Sequence, residues 1–446
     1  MKEDASVSQL AVPSQPSRFL RHVVRQNRQG QAVGTYAICS AHPAVLDAAI
    51  CQAVDDGTVL HVESTSNQVN QYGGYTGTTP AAFAARIRRT AESAGLPPTR
   101  VLLGADHLGP YCWRSESAAS AMAKACELAV RSVLAGYQKI HLDASMPCGD
   151  DPTPLPEEVV AERAANLCAV AEESFAALPA GSPRPLYVIG TEVPVPGGET
   201  AEGGCPVPTK PEDLESTLHA FGKAFVARGL EAAWESVVGI VVQPGVEFGD
   251  SSIFEYDRKN ARLLATSLPA GPELVYEAHS TDYQTPVSLA RMVEDHFAIL
   301  KVGPWLTFAY REAIFALGFI ESEIPECKGR VSRIRETLES EMLSNPAHWK
   351  SYYRGVEEQQ KFARAYSLSD RCRYYWPQPP VEQEVKRLLG NVGGPLPLAL
   401  LSQYLPQEYE AIRNGRLENS ATAIVRHHIQ SVVKVYAEAC GASLRR

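Results

Sequence analysis

The sequence predicts an α/β protein: a TIM (β/α)8 barrel over residues 21–320, with a helical C-terminal extension over 321–446. Two observations carry the prediction. Eight short apolar runs, most ending in polar residues, alternate with helical segments that are often rich in alanine, the pattern that builds a parallel barrel. Past residue 320 no further run of that kind occurs, and helical segments punctuated by Pro and Gly take over.

The eight runs are GTYAICSA (34–41), VLHVEST (59–65), VLLGADH (101–107), KIHLDAS (139–145), YVIGTEV (187–193), GIVVQPG (239–245), LVYEAHS (274–280) and AILKVGP (298–304). Most are apolar at successive positions, as strands buried on both faces are. Helical segments such as HPAVLDAAICQAVDDG (42–57) and AASAMAKACELAVRSVLAG (118–136) lie between them. A doubly wound open sheet is the alternative, but no G-x-G-x-x-G follows the first run. Residues 1–20 are polar and lack the apolar centre of a secretory signal, so they are read as a flexible lead-in. The Pro/Gly-rich stretch 193–213 is long for a loop between strand and helix; after strand five it would serve as a lid.

Composition narrows the function classes. The 446 residues are 45% hydrophobic and 21% charged, with a formal net charge of −9, ordinary values for a globular chain. No Lys/Arg run suggests a nucleic-acid partner. No apolar stretch reaches the roughly 18 residues of a membrane span. The ten cysteines are scattered without a C-x-x-C pair, which points to reduced thiols in a cytoplasmic protein rather than to a disulfide framework or thiolate zinc. A homo-oligomer is compatible with the sequence.

The chemistry of a parallel barrel sits at the C-terminal ends of its strands, and here those ends are polar. Strand two ends in Glu63 and Ser64, followed by Asn67 and Gln68; strand three ends in Asp106-His107; strand four carries His141 and Asp143. Strand five ends in Glu192, strand six in Gln243, strand seven in Glu277, His279, Ser280, Thr281 and Asp282, and strand eight in Lys301 and Gly303. Two imidazoles with several carboxylates at one mouth point to a divalent metal, zinc by preference and manganese as the alternative. His107 and His279 are the expected ligands, with Glu192 or Gln243 between them as the third. Such a metal holds carbonyl and hydroxyl oxygens and stabilises an enediolate. Asp106 would then carry the proton of the reacting hydroxyl, with Glu192 as a further catalytic carboxylate. The bland alternative makes Asp106 a helix cap and His107 a packing residue. His61 and His141 read as core or supporting histidines, His42 as either a substrate contact or a cap residue, and His427-His428 as surface. Lys301 also suits an imine, although the two histidines favour a metal.

The stretches ESTSNQVNQYGGYTG, GADHLGP, HLDASM, TEVPVPGG, YEAHSTDYQTP, LKVGPWLTFAYREAIFAL and YSLSDRCRYYW resemble the Z-subunit (GatZ/KbaZ) family of tagatose-bisphosphate aldolase over essentially the whole chain. More distantly, the order resembles the zinc-dependent class II fructose- and tagatose-bisphosphate aldolases. That resemblance implies a proton-carrying role at the C4 hydroxyl for Asp106 and metal ligation by His107 and His279. Where the aldolases have a further zinc-binding His on strand six, this chain has Gln243, a departure that speaks against ordinary aldolase activity. The family implies three functions: a non-catalytic partner of a class II aldolase catalytic subunit, a tagatose-6-phosphate kinase, or a C4 epimerase of tagatose and fructose derivatives. No G-x-x-x-x-G-K-[ST] loop is present for a kinase. The epimerase reading uses the whole rim, with a small-molecule sugar or sugar phosphate as substrate. Phosphate is expected at Ser280-Thr281 and Gly303, near a helix N-terminus. Glu63, Ser64, Asn67, Gln68, Asp143, Asp282 and Lys301 are expected to contact substrate, and Arg371 and Arg373 either reach in from the extension or hold it to the barrel.

Overall fold

A computed structural model describes residues 15–190, 206–269 and 273–441. Eight parallel strands close into a barrel: β1 (Thr35–Ile38), β2 (Leu60–Thr65), β3 (Val101–Leu108), β4 (Lys139–Leu142), β5 (Leu186–Ile189), β6 (Val237–Val242), β7 (Val275–Ala278) and β8 (Ile299–Val302). They pair in sequence order, and β8 closes on β1 with Thr35 opposite Ile299 and Ile38 opposite Val302. All eight expected strands are present. Every barrel strand is buried along its full length, which explains why the sequence reads as apolar runs rather than as alternation. A two-stranded ribbon, Glu247–Phe248 with Ile253–Phe254, follows β6.

The barrel is apolar at its N-terminal end and ionic towards the other. Helix Pro16–Arg28 closes the apolar end, packing Phe19, Leu20, Val23 and Val24 against Leu102, Val188, Val241, Val275 and Ile299. It begins at Pro16, inside the segment expected to be lead-in. Proline suits the first turn, where its missing N–H costs nothing, and the helix's apolar face has the barrel floor to bury against.

The expected extension is helical throughout its main segments: Ile334–Ser344, Glu357–Tyr366, Pro379–Asn391, Leu398–Tyr404, Pro406–Arg413 and Ala421–Ala439. The last of these packs on Pro43–Asp56, Pro286–Glu294 and Pro304–Glu323, all helices of the barrel's outer ring. Its Tyr436 hydroxyl donates to the Thr281 carbonyl at 2.7 Å, and Arg426 pairs with Asp47 at 2.7 Å. His427 and His428 are not free surface residues. Both rings lie against the buried Glu408 carboxylate, at 2.9 and 3.2 Å, and Glu408 with Glu312 pushes His428 up to about 9 against the effect of burial. No described helix is long and apolar enough to cross a membrane.

Candidate active site at the barrel mouth

Consecutive residues of a strand face opposite sides, so Asp106 and His107 could not both serve one site on a regular strand. The register shows how they do. Ala105 pairs with Ile140 and Leu108 with Leu142, so β3 spends one residue more than β4 across this interval. His107 takes a left-handed conformation at φ 47°. Such a bulge re-aims side chains, and both residues reach the mouth. Two glycines of VLLGADHLG make room. A β-carbon on Gly104 would lie 2.6 Å from Glu63 Cγ, and one on Gly109 would lie 1.5 Å from the Asp143 carbonyl oxygen.

An ion cluster fills the barrel beneath the mouth. Lys139 bridges Glu63 Oε1 and Glu277 Oε2, each at 2.6 Å. Lys301 pairs with Glu63 and with Asp106 Oδ1, the latter at 2.6 Å, and lies 3.7 Å from Glu277 Oε1. Burial alone would lower the Lys301 pKa, but Asp106, Glu63 and Glu277 hold it well above the ordinary lysine value. Paired with Glu63 and Asp106 and close to Glu277, Lys301 is placed as an ammonium rather than as the free amine an imine requires. Burial likewise opposes ionisation of Asp106, yet His107 and Lys301 keep its carboxyl well below the usual range. Thr65 Oγ1 donates to its second oxygen at 2.8 Å.

Above this cluster three imidazoles converge. The rings of His107, His141 and His279 have centroids 5.0 to 5.3 Å apart in all three pairings. His107 Nδ1 lies 2.7 Å from Asp143 Oδ2, and Asp143 is steadied by Ser145, a carboxylate–imidazole pairing of the kind that orients metal-binding histidines. His279 Nε2 lies 3.0 Å from Glu277 Oε1. Burial, opposed by Glu277, brings its pKa down to about 4 and leaves the ring neutral. His141 Nδ1 is 3.3 Å from the His107 amide and 3.7 Å from Asp106 Oδ1, while its Nε2 is buried with no hydrogen-bond partner among the described residues.

This arrangement fits a divalent cation. Asp106, His141, Glu277 and His279 each offer a ligand atom, and all four atoms lie within 4.8 Å of one another. Four buried carboxylates, Glu63, Asp106, Asp143 and Glu277, face two ammonium groups, Lys139 and Lys301. Asp106 and Asp143 raise the His107 pKa against the effect of burial, so even with His107 counted as a cation at least one negative charge is left over in a region where buried charge must be compensated. The group that could hold a metal therefore includes His141, which the sequence reading gave a supporting role, and Glu277, to which it gave none. A signal for them was available: Lys139-x-His141-x-Asp143, His61-x-Glu63 and Glu277-x-His279 are polar at every second position, the period of one strand face.

A cavity of about 520 Å³ opens over the cluster. Asn67, Gln68, Asp106, His107, His279, Ser280, Asp282, Lys301 and Gly303 line it from the barrel, and Arg373, Tyr374 and Trp376 line it from the extension. His42 also lines it, packed on Tyr310 with ring centroids 4.2 Å apart, and burial keeps it neutral with a pKa of about 3. Arg373 thus reaches the cavity, whereas Arg371 lines a neighbouring one.

Other expected residues are placed elsewhere. Ser64 faces away from the mouth and bonds Tyr137 at 2.9 Å, because Glu63 takes the inward position beside it. Thr281 Oγ1 donates to the Lys301 carbonyl at 2.6 Å. Gln243 does not join the cluster: its Oε1 accepts from the amides of Gly245 and Val246 at 2.8 and 3.0 Å, closing the turn after β6. Asp143 stands behind His107, and Glu63 lies in the ion cluster. Glu192 and most of the expected lid lie outside the described residues.

A family model and a solved structure agree with this architecture. The family model described as D-tagatose-1,6-bisphosphate aldolase subunit GatZ/KbaZ-like matches residues 20–441. The crystal structure of a probable tagatose 6 phosphate kinase from Sinorhizobium meliloti 1021 is similar at 42% identity and a TM-score of 0.83, over 91% of this chain and 100% of that one. A fructose-bisphosphate aldolase from Campylobacter jejuni is 12% identical, with a TM-score of 0.42 over 84% of this chain and 91% of its own.

Proposed function

Because the chain belongs to the D-tagatose-1,6-bisphosphate aldolase subunit GatZ/KbaZ-like family, we propose that it is a metal-dependent enzyme acting at C4 of a ketohexose, interconverting tagatose 6-phosphate and fructose 6-phosphate by retro-aldol and aldol steps. The observation that carries the reading is the convergence of three imidazoles on Asp106, with buried negative charge left over for a divalent ion.

His141, His279 and Glu277 would hold the ion, with His107, oriented by Asp143, beside them; three imidazoles favour zinc, and the carboxylates also admit manganese. Once bound, it supplies Lewis-acid stabilisation of the negative oxygens next to the breaking bond. Asp106, kept ionised by His107 and Lys301, accepts the proton of the C4 hydroxyl. The C3–C4 bond then breaks, C4 becomes an aldehyde, and the electron pair stays with C3 as an enediolate. Rotation of the aldehyde exposes its other face. Bond formation there, with return of the proton from Asp106, gives the C4 epimer. Tyr374, Trp376 and Arg373 close the cavity from the extension side, which helps retain both fragments until they recombine.

A purely stabilising subunit of a class II aldolase would gain nothing from burying Glu63, Lys139, Glu277 and Lys301 beneath an accessible cavity, since such ion networks rarely improve stability over apolar packing. A kinase reading lacks a phosphate-binding glycine loop. The test is turnover by the isolated chain. Carbon NMR of tagatose 6-phosphate with purified protein and added zinc should show fructose 6-phosphate, and chelator should stop its formation. No conversion without an aldolase subunit present would overturn the reading.

A further inference from the structure

The helix Pro304–Glu323 starts directly after β8 and points its N-terminus at the cavity. Free amides at such an end ordinarily hold anions. Here the amides are already taken. Gly303 N and Trp305 N donate to Asp282 Oδ1 at 3.0 and 2.8 Å. Asp282 is 3% exposed and lines the cavity, and its Oδ2 accepts from no other described residue. The neighbouring Thr281 hydroxyl is spent on Lys301. Arg373 is the nearby cation, with three of its five N–H donors committed, Nη1 to the carbonyls of Ser369 and Asp370 and Nη2 to the Tyr374 hydroxyl. The place where the sequence suggests a phosphate therefore holds a fixed carboxylate.

We propose that Asp282 selects a sugar end bearing a free hydroxyl and thereby excludes ketoses phosphorylated at both ends. This rests on the reading of the cavity as a ketohexose site. A hydroxyl can donate to the open Asp282 oxygen. A phosphate brought to the same place meets like charge, and the Gly303 and Trp305 amides are already bonded to Asp282. A monophosphate has one unmodified end to offer and can turn its phosphate to the other wall. There Arg86, whose Nε has no hydrogen-bond partner among the described residues, and Lys386, which lies 3.5 Å from the exposed Glu382, line the same cavity. A 1,6-bisphosphate has no unmodified end, whichever way round it enters. The family's bisphosphate description then does not extend to the substrate of this chain.

The experiment is calorimetric titration of the full-length, zinc-loaded protein with tagatose 6-phosphate and with tagatose 1,6-bisphosphate, for wild type and Asp282→Asn. Asparagine caps a helix as well as aspartate does, so the variant removes the charge and keeps the turn. Asp282→Ser, also a capping residue, serves if the first variant does not fold. Wild type should bind the monophosphate at least about tenfold more tightly than the bisphosphate, and the variant should close most of that gap, because the like-charge penalty is gone. Equal or tighter binding of the bisphosphate by wild type, or an unchanged gap in both variants, would overturn the proposal. NMR of the same samples separates it from the functional reading. Monophosphate selection without reaction at C4 keeps this proposal and sinks the epimerase; a preferred bisphosphate that reacts at C4 does the reverse. If neither sugar binds, both are overturned.

Discussion

Asp106→Asn separates the two roles open to Asp106, catalytic base and structural anchor. The side chain has two anchors, Lys301 Nζ at 2.6 Å and the Thr65 hydroxyl at 2.8 Å. Asparagine keeps an oxygen for Thr65. Lys301 keeps Glu63 and Glu277, so no buried ammonium is left unpaired. Loss of one charged hydrogen bond among several costs about 1–3 kcal/mol. With an unfolding entropy of about 2.1 cal/mol/K per residue, a chain of 446 residues loses about 1 °C of melting temperature for each kcal/mol. A drop of only a few degrees is therefore expected. Turnover is another matter: asparagine cannot accept the C4 hydroxyl proton, and the loss should be roughly 10²- to 10⁴-fold. The assay is initial velocity at saturating sugar and zinc, with metal content and melting temperature measured on the same preparation. Turnover within about threefold of wild type, with the metal still bound, would reduce Asp106 to a structural residue and remove the proposed base.

Four further outcomes follow from the same geometry. Lys301→Met leaves Glu63, Asp106 and Glu277 facing Lys139 alone, which should cost about 3–5 kcal/mol in the metal-free protein; adding Glu63→Gln should recover part of it, read by calorimetric melting. His141→Ala should lose the divalent ion in elemental analysis while Gln243→Ala keeps it, the reverse of what the strand-six comparison suggests. Acidification should act on the carboxylates in two opposite steps in the metal-free protein. Burial holds Asp282 and Asp370 up at about 6, so their stabilising contribution is present below the ordinary carboxylate range and is lost as pH rises through 6. Glu63, Asp143 and Glu277 are held low by lysines and imidazoles against the effect of burial, and what they contribute is lost as pH falls below about 4. His42 and His279, buried neutral at about 3 and 4, act against the two aspartates between pH 4 and 6, so melting temperature should change little there and fall below about pH 4; a melting temperature that climbs as pH drops below 4 would contradict the sign. Cutting the chain near residue 325 should give an insoluble barrel, because helix Ala421–Ala439 covers three outer helices with Ile424, Ile429, Val433 and Tyr436; a soluble, fully active 1–325 fragment would refute this.

The barrel was legible because burial on both faces writes a parallel strand as a continuous apolar run, and all eight runs became strands. The site was legible where chemistry-bearing residues end a strand: Asp106, His107, His279 and Lys301 reach the cavity as expected. What the sequence concealed has physical causes. His141 and Glu277 lie within strands, where a polar residue reads as a satisfied core group, although the period-two pattern marked them as inward. The bulge that turns both Asp106 and His107 to one side shows only in the register. Gln243 had the right strand but a side chain short of work elsewhere would have been needed; its oxygen is taken by its own turn. The helix end after β8 looked like an anion site because the carboxylate that fills it, Asp282, arrives from the neighbouring loop.

The central claim is that C4 is inverted by breaking and remaking the C3–C4 bond, with Asp106 moving only the hydroxyl proton. The direct measurement is conversion of tagatose 6-phosphate by the zinc-loaded chain in D₂O, with hydrogen at C4 of the product read by NMR. Bond cleavage leaves the C4–H bond intact, so fructose 6-phosphate should retain protium at C4 throughout the approach to equilibrium. Deuterium at C4 would mean that the inversion runs through loss of the C4 hydrogen itself, and the assignment of Asp106 as base at the C4 hydroxyl would be wrong.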